Sequence, residues 1–347
     1  APLGMWYTPV SGIWQTVWLE TVPRRASIES IKIAPNIDDN SVQVTVNVNR
    51  AGEGKNEGLL VKMLSGMEVV GFATKPVEQE GESTTLTVRL SEDHQSILWT
   101  PDNPFLYDLE IYLHDNSHAD KHDAPIEPID MVKSYAAMRK ISIGPDENGA
   151  VRFHLNNKQV FQYGILDQGW WPDGLYAAPC DEALRWDVET IKNMGFNMIR
   201  KHVKVEPERW YHHCDKLGML VWQDMPNGSV PAKWAPGGAY DYQENPANPL
   251  FAKIFEDELK ACVDALRNYP CITSWVPFNE AWGQYNSVEV VKWLEKYDPT
   301  RLVWVSGGND FGVGSAIDRH VYPQPIMPPL DNKRVAVLGE FGGLGHT

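Results

Sequence analysis

The chain has 347 residues, a length that suits two or more domains better than a single core. With 43% hydrophobic and 22% charged residues it has the composition of a soluble globular protein, and no apolar run approaches the length of a membrane span. The net charge of −15 argues against nucleic acid as a partner, because no basic stripe is present to collect phosphates.

The first segment alternates like a strand without a neighbour to pair with. Residues 11–20 read SGIWQTVWLE, and we interpret residues 1–22 as the last strand of an earlier domain. The chain begins APLGMW, without a start methionine or a charged and then apolar leader. We therefore expect a segment of a longer protein.

Short alternating runs dominate residues 23–143. SIESIKIAPNI, SVQVTVNV, GLLVKMLS, STTLTVRL and LYDLEIYLH are separated by clusters of Gly, Asn, Asp or Pro. Segments of strand length at this spacing, without helical periodicity, predict an antiparallel β-sandwich.

Residues 144–347 alternate apolar strands with amphipathic helices. The first helix is predicted at 181–195, with Asp181 as its N-cap and Gly195 as its stop. Repeated βα units with continuous apolar strands predict a parallel sheet covered by helices. Because no dinucleotide-binding glycine motif is present, we favour a (β/α)8 TIM-type barrel over a doubly wound sheet.

Seven barrel strands are predicted, separated by helices and by a long loop at 227–249. The chain stops at Thr347, just after the seventh strand, so we expect the barrel to lack its eighth strand in this chain. A seven-stranded barrel would leave unpaired sheet edges.

Two glutamates follow barrel strands. Glu280 ends strand four in TSWVPFNE, and Glu340 ends strand seven in LGEFGG. The active site of such a barrel lies at the C-terminal ends of its strands, so both carboxylates are expected to face the same mouth. The alternative for either glutamate is a solvated loop residue. A facing pair of carboxylates is what glycosidic bond cleavage requires.

The chain resembles glycoside hydrolase family 2, which holds β-galactosidases, β-mannosidases and β-glucuronidases. RNYPCITSWVPFNE resembles the acid/base signature of the family, and GEFGG resembles its nucleophile strand. Residues 1–22 resemble the end of its N-terminal jelly-roll sugar-binding domain, 23–143 its immunoglobulin-like β-sandwich, and 144–347 its catalytic barrel.

The resemblance implies roles for four residues. Glu280 would be the general acid/base and Glu340 the nucleophile of a retaining enzyme, with the carboxyl groups roughly 5–5.5 Å apart. Asn279 would hydrogen-bond the 2-hydroxyl of the sugar. Arg200, which ends FNMIRKH, would hold Glu340 ionised.

Further substrate contacts are implied at strand ends, each with a structural alternative. His202 matches a substrate-contacting histidine or is a structural imidazole; the family usually has two small residues between Arg and His, where this chain has only Lys201. Tyr322 resembles the strand-six tyrosine that contacts the nucleophile, or lies at the edge of the core. Asp167 ends strand one, where several family members have a polar substrate contact.

Three more residues complete the predicted site. Trp170 could form a sugar platform or pack under its loop, and Trp282 is expected to line the mouth. Asp224, which ends strand three, could bind a hydroxyl or cap the next segment. Trp304 is expected in the barrel core.

The sequence favours a retaining exo-β-glycosidase, β-galactosidase-like, that acts on an oligosaccharide or glycoside. VWQDM is reminiscent of β-mannosidases, which stay an alternative, as does a carbohydrate-binding protein that has lost catalysis. No cofactor is required; a divalent cation is possible, but the sequence indicates no His/Glu set for it. A membrane partner is not expected, and the oligomeric state is open. The family suggests a periplasmic or secreted bacterial location.

Overall fold

The computed structural model describes residues 7–50, 56–78, 81–116, 127–228, 244–308 and 310–343. They form two compact units. One unit runs from Leu19 to Lys140 and includes Leu155–Asn157; the other holds the described residues up to Trp18, Ile141–His154 and those from Lys158 onward. None of the helices in the described ranges combines the length and apolarity needed to span a membrane.

The first unit consists of seven antiparallel strands in two sheets, ordered β1-β2-β5 and β4-β3-β6-β7. The strands are β1 (Ala26–Asn36), β2 (Ser41–Arg50), β3 (Glu57–Ser65), β4 (Glu68–Pro76), β5 (Thr84–Arg89), β6 (Tyr107–Asp115) and β7 (Pro128–Ala136). In β2, Val42, Val44 and Val46 are fully buried because alternate side chains of a strand face the same core.

The predicted β-sandwich therefore agrees with the structure, but sequence reasoning missed two of its strands. β4 and β7 are the edges of the four-stranded sheet and bury fewer side chains than β3, so their apolar alternation is weak.

The strand predicted within residues 11–20 is absent from the described chain, where residues 7–25 form no strand. No strand of the described residues pairs with this segment, and Leu19 is fully exposed. The interpretation of 1–22 as the end of an earlier domain stays a prediction, and residues 1–6 lie outside the described ranges.

The second unit begins with a small sheet of β8 (Ile141–Pro145), β9 (Val151–Leu155) and β10 (Lys158–Gln159). Seven parallel strands follow, five in one sheet and two in another. They are β11 (Gly164–Asp167), β12 (Met198–Lys201), β13 (Leu220–Asp224), β14 (Ile272–Val276), β15 (Leu302–Val303), then β16 (Ala316–Val321) and β17 (Val335–Phe341).

Four helices cover the first sheet: α1 (Asp181–Asn193), α2 (Glu208–Leu217), α3 (Pro249–Leu266) and α4 (Ser287–Tyr297). From β11 to β15, strands and helices alternate in the order typical of a (β/α)8 barrel, as predicted, whereas no helix of the described residues separates β15, β16 and β17. The two described sheets do not close into a ring. The missing eighth strand stays a prediction; residues 344–347, like 229–243 of the predicted long loop, lie outside the described ranges.

The core of this unit lies between the sheet and the helices. β14 is buried at all five positions, as expected for a strand of a parallel sheet that is covered on both faces. The start of α1 corrects the prediction: Cys180 is the N-cap, and Asp181 is the first helical residue. Gly195 follows the helix with a φ of 94°, as expected for a helix stop.

Candidate active site

Polar side chains from five parallel strands meet at one edge of the second unit. They come from β12, β13, the residues after β14, β16 and β17, and we name them the arginine cluster: Arg200, Asp224, Asn279, His320 and Glu340. Because the C-terminal ends of parallel strands lie at the same edge of a sheet, residues distant in sequence become neighbours here.

Glu280 and Glu340 both lie beside the Nδ1 atom of His320. One oxygen of each carboxylate and one nitrogen of the imidazole lie within 4.8 Å of one another. His320 Nδ1 is 2.9 Å from Glu280 Oε1 and 3.3 Å from Glu340 Oε1. Glu340 is buried, whereas the Glu280 side chain is 22% exposed. This proximity agrees better with the roughly 5–5.5 Å of a retaining pair than with the wider spacing of an inverting pair.

The same three residues carry the atom types that bind divalent cations, a set that the sequence did not indicate. Arg200 Nη1 lies 3.0 Å from Glu340 Oε1 and 3.1 Å from His320 Nε2. A permanent positive charge at this distance disfavours a second cation beside it. The set is therefore a poor fit to a resident metal ion.

Arg200 is the centre of the cluster. Its Nε and Nη2 donate to the two oxygens of Asp224 at 3.1 and 2.8 Å, and Nη2 also donates to Asn279 Oδ1 at 2.7 Å. Asp224 is completely buried, and burial raises its pKa despite the guanidinium. Both oxygens thus orient Arg200, and the prediction that Asp224 binds a hydroxyl or caps the next segment stays a prediction.

Asn279 gains a fixed orientation from this contact. Arginine can only donate, so the atom that faces Arg200 must be the amide oxygen. The amide nitrogen of Asn279 is then directed away from the guanidinium and is available as a donor.

Tyr322 donates its hydroxyl proton to Glu340 Oε2. Burial and the charge of Glu340 raise the pKa of Tyr322, so the phenol keeps its proton and remains a donor. Half of Tyr322 is exposed. The predicted contact between this tyrosine and Glu340 is present.

Sequence reasoning missed His320, which Ser306 and Asp318 support from behind. Ser306 Oγ lies 3.0 Å from His320 Nε2, and it also donates to Asp318 Oδ2. A Cβ on Gly307 would lie 2.4 Å from the imidazole ring, so only glycine fits there. The available signal was alternation: Asp318, His320 and Tyr322 are spaced to share one face of β16.

The backbone at Glu280 is strained. Glu280 and Ala281 have φ of 50° and 62°, in the left-handed region that costs a side-chain-bearing residue roughly 1–2 kcal/mol. Hydrogen bonds over-determine this conformation: Glu280 N donates to Ser306 O at 2.9 Å, and Trp282 N to Asn279 O at 3.0 Å. The strain turns Glu280 toward His320 after β14 has ended.

His202 lies beside Glu340, with Nε2 3.9 Å from Glu340 Oε1. Burial and the charge of Arg200 lower the pKa of His202 to about 4. The imidazole is therefore neutral at physiological pH.

A second charged network lies at the ends of β11 and β12, and we name it the lysine cluster: Asp167, Lys201, Lys204 and Glu206. Lys201 is completely buried, bonds Asp167, and lies 2.9 Å from Glu206 Oε1. Lys204 Nζ donates to Gly169 O at 2.6 Å and Tyr176 O at 2.9 Å.

Asp167 is held through both of its carboxylate oxygens. One oxygen accepts from Lys201, and the other accepts from Gly169 N at 2.8 Å. Lys201 and its neighbours lower the pKa of Asp167 although burial opposes them. Both oxygens hold the strand-one loop, and the predicted contact of Asp167 with substrate stays a prediction.

The predicted tryptophans have different positions. Trp170 is half-buried and stacks on Tyr7 at 4.3 Å between ring centroids, and Trp282 is half-buried directly after the Glu280 turn. Their contact with a sugar stays a prediction. Trp304 is fully buried and donates to Asp318, which confirms its place in the core.

Two family models match the chain. The model described as "Glycosyl hydrolases family 2, TIM barrel domain" matches residues 151–326, and "Glycosyl hydrolases family 2" matches residues 26–126. A putative β-glucuronidase of Formosa agariphila is 26% identical over 78% of this chain, and a β-galactosidase of Oenococcus oeni is 23% identical over 90%. The chain spans 29% of the length of each of these relatives.

Solved structures resemble the fold. A β-galacturonidase from Eisenbergiella tayi matches with a TM-score of 0.65 at 20% identity, covering 86% of this chain and 51% of its own. A Parabacteroides merdae β-glucuronidase matches with a TM-score of 0.64 at 18% identity, covering 81% of this chain and 34% of its own.

Proposed function

Because the chain belongs to glycosyl hydrolase family 2, we propose that it carries the catalytic centre of a retaining exo-β-glycosidase. The observation that carries the proposal is the approach of Glu280 and Glu340 to within 4.8 Å, with Arg200 and Tyr322 both bonded to Glu340. A solvated loop glutamate would not be buried with donors bonded to both of its oxygens.

In the first step, Glu340 attacks the anomeric carbon while Glu280 protonates the departing glycosidic oxygen. The C–O bond to the leaving group breaks as the ester bond to Glu340 forms. Arg200 and Tyr322 orient the two oxygens of Glu340. The 22% exposure of the Glu280 side chain suits an acid that must reach a leaving group at the mouth. The amide nitrogen of Asn279 is the donor for the 2-hydroxyl, where a hydrogen bond strengthens in the transition state.

In the second step, Glu280 accepts a proton from water, and the water oxygen displaces Glu340 from the sugar. The negative charge thus moves from Glu340 to Glu280 and back during one cycle. His320 Nδ1 faces both carboxylates, and its Nε2 faces the donor Arg200. A proton on Nδ1 of His320 is donated to whichever glutamate is charged. No step needs a metal or other cofactor.

A neutral hexoside, with a β-galactoside first, is the substrate that we propose. Three cations near the site are already committed: Arg200 to Asp224 and Glu340, Lys201 to Asp167 and Glu206, and Lys204 to Glu206 and two carbonyls. None of these three is free to receive a substrate carboxylate. A β-mannoside is the alternative that the VWQDM motif favours, and a β-uronide is the one that the names of several relatives favour.

The test is hydrolysis of aryl β-galactoside, β-mannoside, β-glucoside and β-glucuronide by this chain and by the longest natural protein that contains it. We expect turnover of the galactoside. Glu280→Gln should lower the rate by about 10²–10⁴-fold, and Glu340→Gln should abolish turnover.

Stereochemistry assigns the two roles. With azide present, Glu340→Gly should yield the α-glycosyl azide, because azide attacks the substrate directly with one inversion. Glu280→Ala should yield the β-glycosyl azide, because azide displaces the glycosyl-enzyme after a first inversion. The reverse pattern would exchange the roles. Sugar binding without hydrolysis of any substrate would replace the proposal by the carbohydrate-binding alternative.

A further inference from the structure

The buried Nε2 of His202 has no hydrogen-bond partner among the described residues, although it points toward Glu340 Oε1 at 3.9 Å. The other ring nitrogen, Nδ1, lies 3.4 Å from Gln168 Nε2. Gln168 in turn accepts the hydroxyl proton of Tyr7 on its amide oxygen. Three side chains thus form a line from the strand-one loop to the nucleophile.

The direction of this line decides which nitrogen of His202 carries the proton. A neutral imidazole has one donor and one acceptor, and the neighbour of one nitrogen fixes the role of the other. Gln168 Nε2 can only donate, so His202 Nδ1 must accept from it. The proton of His202 is then on Nε2, on the side of the site.

The surroundings of the other ring nitrogen, Nε2, favour the same tautomer. Without a proton, Nε2 would direct a lone pair at the carboxylate of Glu340, which is electrostatically unfavourable. With a proton, it directs a donor there. The lowered pKa of His202, about 4, excludes the doubly protonated ring at neutral pH.

Tyr7 holds the amide of Gln168 in this orientation. Its ring is parallel to that of Trp170, with an interplanar angle of 6° and a centroid distance of 4.3 Å. Stacking positions the phenol, and the phenol hydroxyl donates a hydrogen bond to the amide oxygen of Gln168. A flip of the amide would put its NH₂ group against the phenol and its oxygen against His202, which requires both partners to change roles.

We propose that Gln168 and Tyr7 are positioning residues that fix His202 as the Nε2–H tautomer, so that this proton is donated to a hydroxyl of the sugar beside Glu340. The inference rests on the proposed glycosidase function for its consequence. The tautomer itself is a property of the substrate-free chain.

The decisive measurement is a two-bond ¹H–¹⁵N correlation spectrum of the substrate-free chain with ¹⁵N-labelled histidine. The His202→Gln variant identifies the His202 signals among the ten histidines. We expect the Nε2–H pattern in the unmodified chain and mixed tautomers in Gln168→Met, which retains side-chain length without donor or acceptor. An Nδ1–H pattern in the unmodified chain, or an unchanged pattern in Gln168→Met, would overturn the inference.

Two tyrosine variants isolate the phenol. Tyr7→Phe retains the ring that stacks on Trp170 and removes only the hydroxyl, so it should partly mix the His202 tautomers. Tyr163→Phe is the matched control, because Tyr163 is a half-exposed tyrosine just before β11 whose ring lies beside Phe161 and Phe196. Equal spectra for both variants would remove Tyr7 from the proposal.

Kinetics distinguish positioning from a structural role. Gln168→Met should lower kcat/KM for the hydrolysed glycoside about fivefold, the equivalent of one neutral hydrogen bond, with an unchanged melting temperature. In the His202→Gln background the same change should have no further effect, because an amide donor has no tautomer to fix. If the unmodified chain hydrolyses no glycoside, the proposed function fails, and the spectrum alone decides this inference.

Discussion

Arg200 and Lys201 are neighbours on β12, yet their side chains enter two different buried clusters. Both side chains are almost inaccessible, and each lies between two carboxylates. In the lysine cluster the charges are closed off: Lys201 and Lys204 are paired with Asp167 and Glu206, and the remaining protons of Lys204 go to backbone carbonyls.

The arginine cluster is left open on one side. The Glu280 side chain is partly exposed, Tyr322 is half exposed, and Nε2 of His202 has no partner within the described chain. Buried charge alone therefore does not identify an active site, since both clusters have it. What distinguishes the arginine cluster is its surroundings: the neighbouring Glu280 and Tyr322 are partly exposed, and Nε2 of the neighbouring His202 has no hydrogen-bond partner in the described chain.

Arg200→Lys should break the arginine cluster with the largest effect. A lysine retains the charge but cannot bond Asp224 with two nitrogens and reach Asn279 and Glu340 at the same time. We expect kcat/KM for an aryl β-galactoside to fall about 10³-fold, because displacements on the order of 1 Å at a reacting group cost roughly 10²-fold each. Retention of more than a tenth of the activity would contradict the central role of Arg200.

Lys201→Met should damage stability instead of catalysis. Removal of one partner from a buried ion pair costs about 3 kcal/mol, since Asp167 and part of Glu206 lose their counter-charge. Urea unfolding followed by circular dichroism measures this loss, and kcat per folded molecule should stay within about threefold. Lys260→Met is the control: its pair with Asp264 is exposed and should contribute less than about 1 kcal/mol.

Asp187→Asn should remove a pH dependence of stability that Asp187 causes beside the lysine cluster. Burial and the charge of Asp167 raise the pKa of Asp187 from 3.8 to about 6. The folded state thus holds a proton that the unfolded state releases, so this contribution to stability is present below pH 4 and is lost as pH rises to about 6.

The expected difference is about 1 kcal/mol in favour of the Asn variant at pH 8, after allowance for the partial exposure of Asp187. At pH 4 the two proteins should unfold at the same urea concentration. A constant difference across this pH range would show that Asp187 does not titrate with the cluster.

The arginine cluster was more predictable from the sequence than the lysine cluster. Glu280, Glu340 and Arg200 each follow or end an apolar strand, so parallel pairing alone brings them to one edge. His320 lies inside β16, and its partners are 14 to 120 positions away in the sequence, at Ser306, Glu280 and Arg200. Only the tertiary structure reveals that contact.

The contacts of Asp224 and Asp167 with buried cations were not predicted from the sequence, for a related reason. A strand-end carboxylate has the same sequence signature whether it faces substrate or an internal cation. In the sandwich, edge strands β4 and β7 escaped detection because they bury too little apolar surface to alternate clearly. A sequence pattern indicates which side chains are buried, but it does not indicate which residues those side chains contact.

The smallest predicted effect concerns the strained turn at Glu280 and Ala281, beside the arginine cluster. Ala281→Gly removes a side chain at a φ of 62°, which relieves backbone strain. The larger conformational entropy of glycine in the unfolded chain offsets this gain. The free energy of unfolding should therefore change by less than about 1 kcal/mol. The turn would hold Glu280 less tightly, and acid catalysis should suffer about threefold by analogy with other small displacements of reacting groups. Because protonation matters most for poor leaving groups, the loss in kcat/KM, which reports the first step, should appear with alkyl glycosides and vanish with a dinitrophenyl glycoside. An equal loss with both substrates would mean that the turn positions Glu340 or the sugar, and that the strain does not serve the acid.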